Sequence, residues 1–114
     1  MKQRPLPVAS AYAPWSDAAL FEVSWEACNQ VGGIYQVLRS KARTMVERWG
    51  DRYLVVGPYL PAMADVEFEA ERPVDFVGPV LERLAGEGVH VHCGRWLVDG
   101  RPRALLVEAR LDGA

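Results

Sequence analysis

Cysteine is scarce in this 114-residue chain, limited to Cys28 and Cys93, so no disulfide framework is available to brace it. Long apolar runs are lacking as well. None approaches the roughly 20 residues that a bilayer-crossing helix needs, which argues against a membrane partner. An excess of one charge is also missing: 13 Lys and Arg stand against 15 Asp and Glu, a formal net charge of -2. That balance provides no electrostatic footprint for nucleic acid. The start, Met1-Lys2-Gln3-Arg4-Pro5, carries the charge of a signal peptide without the apolar core behind it, so a cytoplasmic location is expected. There is no internal repeat, no low-complexity tract, no GxGxxG fingerprint and no GxxxxGK[ST] loop, which removes the usual motifs for dinucleotides and for P-loop nucleotides.

Half of the chain is hydrophobic and a quarter charged, the composition of one globular domain or part of one. Residues 1–18, with Pro5, Pro7 and Pro14 and no sustained period, read as an extended or irregular arm, and 19–114 as the domain. Leu20–Trp25 has the aromatic and β-branched content of a first strand. Ile34, Leu38, Ala42, Met45 and Trp49 then recur at helical steps, with Tyr35, Val37 and Val46 widening the stripe, and Gly50 is placed to stop the helix. Tyr53–Gly57 is a nearly continuous apolar strand of the kind a sheet covered on both faces requires. Strand, helix, strand in succession predicts a βαβ crossover and a parallel pair.

Residues 62–77 alternate Asp65, Glu67, Glu69 and Glu71 with Val66, Phe68 and Ala70, which fits an exposed strand or an irregular connection equally well. Pro79–Ala85 carries a short helical stripe that Gly86 or Gly88 can end. Val89–Gly94, extended by Trp96–Val98, and Ala104–Glu108 read as two strands on either side of Asp99-Gly100, a hairpin signal that Arg101-Pro102-Arg103 lengthens. The expected fold is therefore α/β, with a mostly parallel sheet and a β-hairpin near the C-terminus.

One place points at a chemistry. In Asn29-Gln30-Val31-Gly32-Gly33-Ile34-Tyr35 a glycine pair sits between the first strand and the long helix. In a parallel sheet that turn lies at the carboxyl end of the strand, where open α/β folds bind ligands. Glycines there allow close approach and unusual dihedral angles, and the helix start presents unpaired amides to an anion. The same pair also serves as a purely structural turn. Elsewhere the residues stay unassigned. His90 and His92 share one strand face while Cys93 points to the other, and no second ligand cluster completes a zinc site. Glu22, Glu26 and Asp51 have no placed carboxylate partner, Ser24 and Ser40 no evident base, and Trp15, Trp25, Trp49 and Trp96 are scattered along the chain, more simply core or interface residues than a ligand platform.

At these residues the sequence resembles a known family. LFEVSWEACNQVGGIYQVLRSKA, then WGDRYLVVGPYLP, then GRWLVDGRPRALLVE are similar, in order and over about residues 20–108, to the amino-terminal region of glycogen synthases of the animal and fungal type and their bacterial relatives, glycosyltransferase family 3. The resemblance implies the first part of a GT-B enzyme with two Rossmann-like domains. Such an enzyme transfers glucose from UDP-glucose to an α-1,4-glucan with retention and without an essential bound metal or other cofactor. It also implies that Gly32 and Gly33 lie near the donor diphosphate and sugar. Two residues before the first glycine the family usually has lysine or arginine; this chain has Gln30, whose amide donates a hydrogen bond but carries no charge. Gln30, Gly32 and Gly33 are thus the candidate substrate-binding residues, and no catalytic residue is assigned.

The resemblance implies an amino-terminal portion that carries one wall of the donor cleft and has no turnover alone. A standalone nucleotide-, phosphate- or glucan-binding module and a non-catalytic interaction protein are the alternatives. With one long and one short helix, an apolar face or sheet edge is expected to remain open to self-association or to the remainder of the enzyme.

Overall fold

In the computed structural model, which describes residues 18–108, the chain begins with β1, Leu20–Val23, whose residues alternate between the two faces of the sheet. The expected arm at 1–18 falls, except for its last residue, outside the described residues. Helix α1, Gly33–Trp49, follows. Gly50 ends it at φ 59, a left-handed angle at which a Cβ is strained, and one 3-10 turn, Gly50–Arg52, leads into β2, Tyr53–Pro58.

The ambiguous middle resolves into a helix and a short strand. Helix α2 covers Pro61–Glu67 and β3 covers Phe68–Ala70. Proline at the start of α2 loses no helical hydrogen bond, and Ala62, Met63 and Ala64 favour the helical backbone. Ala64 is buried in the core, and that burial turns a weak local preference into a helix. The strand reading therefore holds only for Phe68–Ala70. Helix α3 runs Val77–Gly86, β4 His90–Trp96 and β5 Arg103–Glu108.

The five strands of the described residues form one sheet in the order β1-β2-β5-β4-β3. β1 pairs with β2 and β2 with β5 in parallel; β5 with β4 and β4 with β3 run antiparallel. The sheet is evenly mixed rather than mostly parallel. The reason lies in the connections: β1 and β2 are joined through a helix, whereas only six residues, 97–102, separate β4 from β5, too few for a crossover.

Alternation along β2 sends Tyr53 and Val55 to one face and Leu54 to the other. The first face packs Tyr53, Val55, Trp96, Ala104 and Leu106 against Tyr35 and Leu38 of α1 and Ala64 of α2. The second packs Leu54, Cys93 and Leu105 against Val77 and Leu81 of α3. Helices on both faces explain the continuous apolar run of β2. The stripe of α1 is narrower than its sequence pattern: Ile34 and Val37 stay exposed, because the sheet meets only the face centred on Tyr35, Leu38 and Ala42. Phe21 and Val23, on the second face beyond the reach of α3, are exposed too.

Candidate functional site

β1 stops at Val23, short of the expected Trp25, because the chain then folds into a compact turn. The Ser24 N–H still donates to Val56 O (2.9 Å), but Ala27 N–H returns to Ser24 O and Asn29 N–H to Glu26 O. Cys28 takes φ 58, and Ala27, Cys28 and Asn29 are buried. The Asn29 amide donates to Trp25 O at 3.1 Å. Gly57 makes room for this turn: a Cβ there would stand 2.8 Å from Ala27 Cβ and 2.9 Å from Ala27 O.

The glycine pair sits where the sequence predicts, between β1 and α1, at the carboxyl end of the mutually parallel strands β1, β2 and β5. Its backbone differs from the expectation. Gly32 is extended, φ −155, an angle any residue adopts, and neither Gly32 nor Gly33 has a positive φ. What glycine contributes is bare surface. Nothing lies within 4 Å of a Cβ built on Gly33. Gln30, Gly32 and Gly33 are all exposed, so the three predicted residues share one open rim.

The site also contains a residue that the sequence left unassigned. Glu26 Oε1 accepts the N–H of Gly32 and the N–H of Tyr35, both at 2.9 Å. A carboxylate thus satisfies two donors at the start of α1, close to the positive end of the helix dipole. Gly32, as N-cap, has no side chain to do this itself. Among the described residues, the Gly33 and Ile34 amides have no acceptor and remain open to solvent. No ion pair of the described residues brings a lysine or arginine to Glu26. No local signal marked Glu26: the start of α1 lacks the Ser/Thr-x-x-Glu pattern of a capping box, and a six-residue separation becomes a contact only through the turn.

Behind the rim, Tyr35 ties α1 to the body of the fold. Glu67 Oε1 accepts from Tyr35 Oη at 2.8 Å and from Trp96 Nε1 at 3.1 Å, joining α1, α2 and β4. Burial, with the Glu67 carboxylate beside it, pushes the Tyr35 phenol up to about 12. Burial likewise pushes the Cys28 thiol up to about 12, helped by the charge of Glu67, so this thiol is an inert core group. On β1, burial of Glu22 raises its pKa, but hydrogen bonds from Lys41 and Tyr53 more than offset that and hold the carboxyl below its usual range.

The same end of the sheet holds a cavity of about 250 Å³ lined by Val23, Trp25, Val56, Gly57, Pro58 and Val107. Its lining is almost wholly apolar; the only polar side chain, Ser24, accepts the Glu26 N–H at 3.1 Å. Trp96 is completely buried, whereas Trp25 stands 68 % exposed at the cavity edge. His92 stacks on Tyr59 with ring centroids 3.7 Å apart and pairs with Glu108 at 3.0 Å, while Cys93 points into the opposite core, as strand alternation requires. Among the described residues no group of three or more His, Cys, Asp or Glu is placed to hold a metal ion. Asp51 pairs with Arg95 at 2.9 Å, at the other end of β2 from the glycine turn.

The sequence was also compared with known proteins. The glycogen synthase family model matches residues 22–112. A glycogen [starch] synthase of Dictyostelium discoideum is 43% identical over 96 residues, 83% of this chain and 11% of that protein. The liver glycogen [starch] synthase of Homo sapiens is 40% identical over 96 residues, 83% of this chain and 14% of that protein. The glycogen [starch] synthase of Neurospora crassa is 39% identical over 92 residues, 80% of this chain and 13% of that protein. The chain thus spans well under a quarter of the length of these relatives. The match takes in the end of β1, the glycine turn, α1 and every later element of the sheet, and on that ground the chain belongs to the glycogen synthase family.

Proposed function

We propose that this chain forms one wall of the sugar-nucleotide cleft of a retaining glycogen synthase-like glycosyltransferase. In the complete enzyme it would serve glucose transfer from UDP-glucose to an α-1,4-glucan. The fold is read as the first part of a Rossmann-like GT-B domain, with β4 and β5 as its hairpin. The observation that carries the reading is the position of Gly32 and Gly33. They lie at the carboxyl end of a parallel strand, with open space above Gly33 and two amides that have no acceptor among the described residues, in a chain of this family.

The roles follow from the chemistry of the rim. Gly33 and Ile34 N–H would donate to a phosphate oxygen, and Gly32 leaves the backbone bare for close approach. Gln30 would add a neutral amide donor where a cation would give a bond about twice as strong. Glu26 fixes the turn and places a negative charge beside it, so a diphosphate needs positive groups from elsewhere in the cleft. Leaving-group stabilisation and closure of two domains around the donor are the large terms in such a transfer. This chain alone is therefore expected to bind weakly and not to turn over.

The test is a titration of the isotope-labelled chain with UDP-glucose, following backbone amides, alongside a labelled-glucose transfer assay to glycogen. Shifts confined to Gly33, Ile34 and the Gln30 side-chain amide, with no transfer, are expected. Shifts located elsewhere, or transfer by the pure isolated chain, would refute this assignment.

A further inference from the structure

At the end of the sheet opposite the glycine turn, one segment is held by charge more than by packing. Residues 71–76 leave β3 and lead into α3 with space on both sides. A polar cavity of about 290 Å³ separates them from Asp51, Arg95 and Arg103, and a groove of about 510 Å³ runs along Gly78, Leu81 and Ala85 of α3. Val74 is 94 % exposed, and among the described residues none of 71–76 joins either core cluster. The ties of this strap to the sheet are polar. Glu71 N–H donates to Cys93 O at 2.8 Å, and the Glu71 carboxylate accepts from Arg95 Nε at 3.0 Å. Asp75 accepts twice from Arg103, at 2.7 and 3.2 Å, and those bonds hold its carboxyl below the ordinary range. The Arg103 side chain is only 4 % exposed; it also donates to Asp51 O and lies 3.9 Å from Cys93 Sγ. Asp75 accepts the Val77 N–H as well, so one carboxylate neutralises a buried cation and fixes the start of α3. The helix itself grips the sheet lightly, through buried Val77 and partly buried Leu81.

We propose that residues 72–86, the strap together with α3, form an ionic latch over the second face of the sheet. It stays closed while Asp75 is charged and swings off as one unit when that charge is lost, leaving the first face packed. The reason is the state in which Arg103 is left. A buried guanidinium without its carboxylate is strongly unfavourable and has to reach water. No neighbour takes over. Asp51 of the 3-10 turn and Glu71 of the strap are both engaged by Arg95 of β4, Arg72 carries the same sign as Arg103, and Cys93 offers a neutral thiol. Lifting the strap hydrates Arg103 at little packing cost, because cavities already lie beneath and beside it. The ends of the moving unit are defined. Glu71 stays tied to Cys93 O and Arg95, and the turn after α3 carries Gly88 at φ 88, an angle that suits a residue without Cβ. Opening uncovers Leu54, Cys93 and Leu105, which α3 covers when closed. The latch is thus closed above the ordinary carboxylate range and opens as pH falls through the lowered value of Asp75. None of this involves the glycine turn, so it stands or falls separately from the UDP-glucose reading.

Two free thiols read the two faces: Cys28 lies in the first core cluster and Cys93 in the second. The test is alkylation of the full chain with iodoacetamide at neutral pH, followed at each cysteine by mass spectrometry, with hydrogen exchange on the same samples. Asp75→Asn keeps an acceptor for the Val77 N–H but loses the charge. It should speed Cys93 about tenfold or more and expose the α3 amides, while Cys28 and the α1 amides keep their wild-type rates. Asp99→Asn, which removes an exposed partner of Arg43, should change neither thiol. Arg103→Met added to Asp75→Asn removes the stranded cation and should return Cys93 to within about threefold of wild type. The wild-type chain gives an answer without any variant: on acidification the α3 amides should lose protection before those of α1. Equal acceleration at both cysteines would mean general unfolding and overturn the latch. So would an unchanged Cys93, a double variant as open as Asp75→Asn, or simultaneous loss of α1 and α3 protection in acid. Faster Cys93 with α3 still protected would reduce the effect to the charge beside the thiol and overturn it too.

Discussion

Removal of the Glu26 carboxylate is the perturbation that tests the description of the glycine turn most directly. Glu26 Oε1 accepts two amides at the start of α1, each at 2.9 Å, and the helix has no other side-chain cap. Loss of a helix cap costs about 0.5–2 kcal/mol, and favourable charge near a helix N-terminus contributes about 0.3–1 kcal/mol when exposed. The Gly32 bond is exposed and the Tyr35 bond partly buried, so water recovers part of the loss. Glu26→Ala should therefore destabilise the chain by about 1–2 kcal/mol. Glu26→Gln keeps an acceptor oxygen without the charge, and about half that loss is expected. In urea, with a slope of about 2 kcal/mol per molar, the alanine variant should shift the midpoint downward by about 0.5–1 M with the slope unchanged. Hydrogen exchange should accelerate first at Tyr35. The reasoning fails if Glu26→Ala unfolds within about 0.3 kcal/mol of wild type, a spread typical of plain surface substitutions, or if the glutamine variant is the less stable of the two.

Glycines near the turn should answer substitution with opposite signs. Gly57→Ala drives a Cβ into the Ala27 backbone and should lower stability by about 1–3 kcal/mol, whereas Gly33→Ala, with open space and no positive φ, should be neutral or stabilise by up to about 1 kcal/mol; paired thermal melts check this. At alkaline pH the Tyr35 phenol, raised from its ordinary 10 to about 12, keeps its proton in the folded chain after the unfolded chain has lost it. Its contribution is complete below pH 10 and lost as pH rises toward 12, and Tyr35→Phe should flatten that decline in denaturant titrations. At acid pH the sign is reversed for Glu22 and Asp75. Burial of Glu22 is outweighed by its bonds from Lys41 and Tyr53, and the Arg103 guanidinium beside Asp75 holds that carboxyl down. Their contribution is present above the ordinary carboxylate pKa and lost as pH falls through the lowered values. Glu22→Gln should thus reduce the dependence of stability on pH below 5, measured by urea midpoints.

The readable parts of the chain are those where local chemistry and burial agree. The β2 run and the α1 repeat from Leu38 to Trp49 gave both the element and its covered face. Gly50 marked the helix end because its φ of 59 suits a residue without Cβ. Agreement breaks down at Pro61–Glu67, where an alternating pattern suits a strand but Ala64 meets the core as part of a helix. Ile34 and Val37 fail for a related reason: periodicity counts apolar residues on a helix without saying how wide a face the sheet will meet. The glycine turn was recognisable from its neighbours, yet Glu26 was not. Its partners are six and nine residues away, across a turn that depends on Gly57 for space.

By itself the sequence determined the order of strand and helix, the parallel start of the sheet, the position of the glycine turn and the family. These depend on residue spacing and on motifs that lie close together along the chain. The tertiary structure alone decided that the sheet is evenly mixed, that the Glu26 carboxylate holds the helix start, and that among the described residues β1 has an open apolar edge. Each of these depends on which residues distant in sequence are brought within 3 Å of each other or left without a neighbour, and that is settled by packing rather than by periodicity.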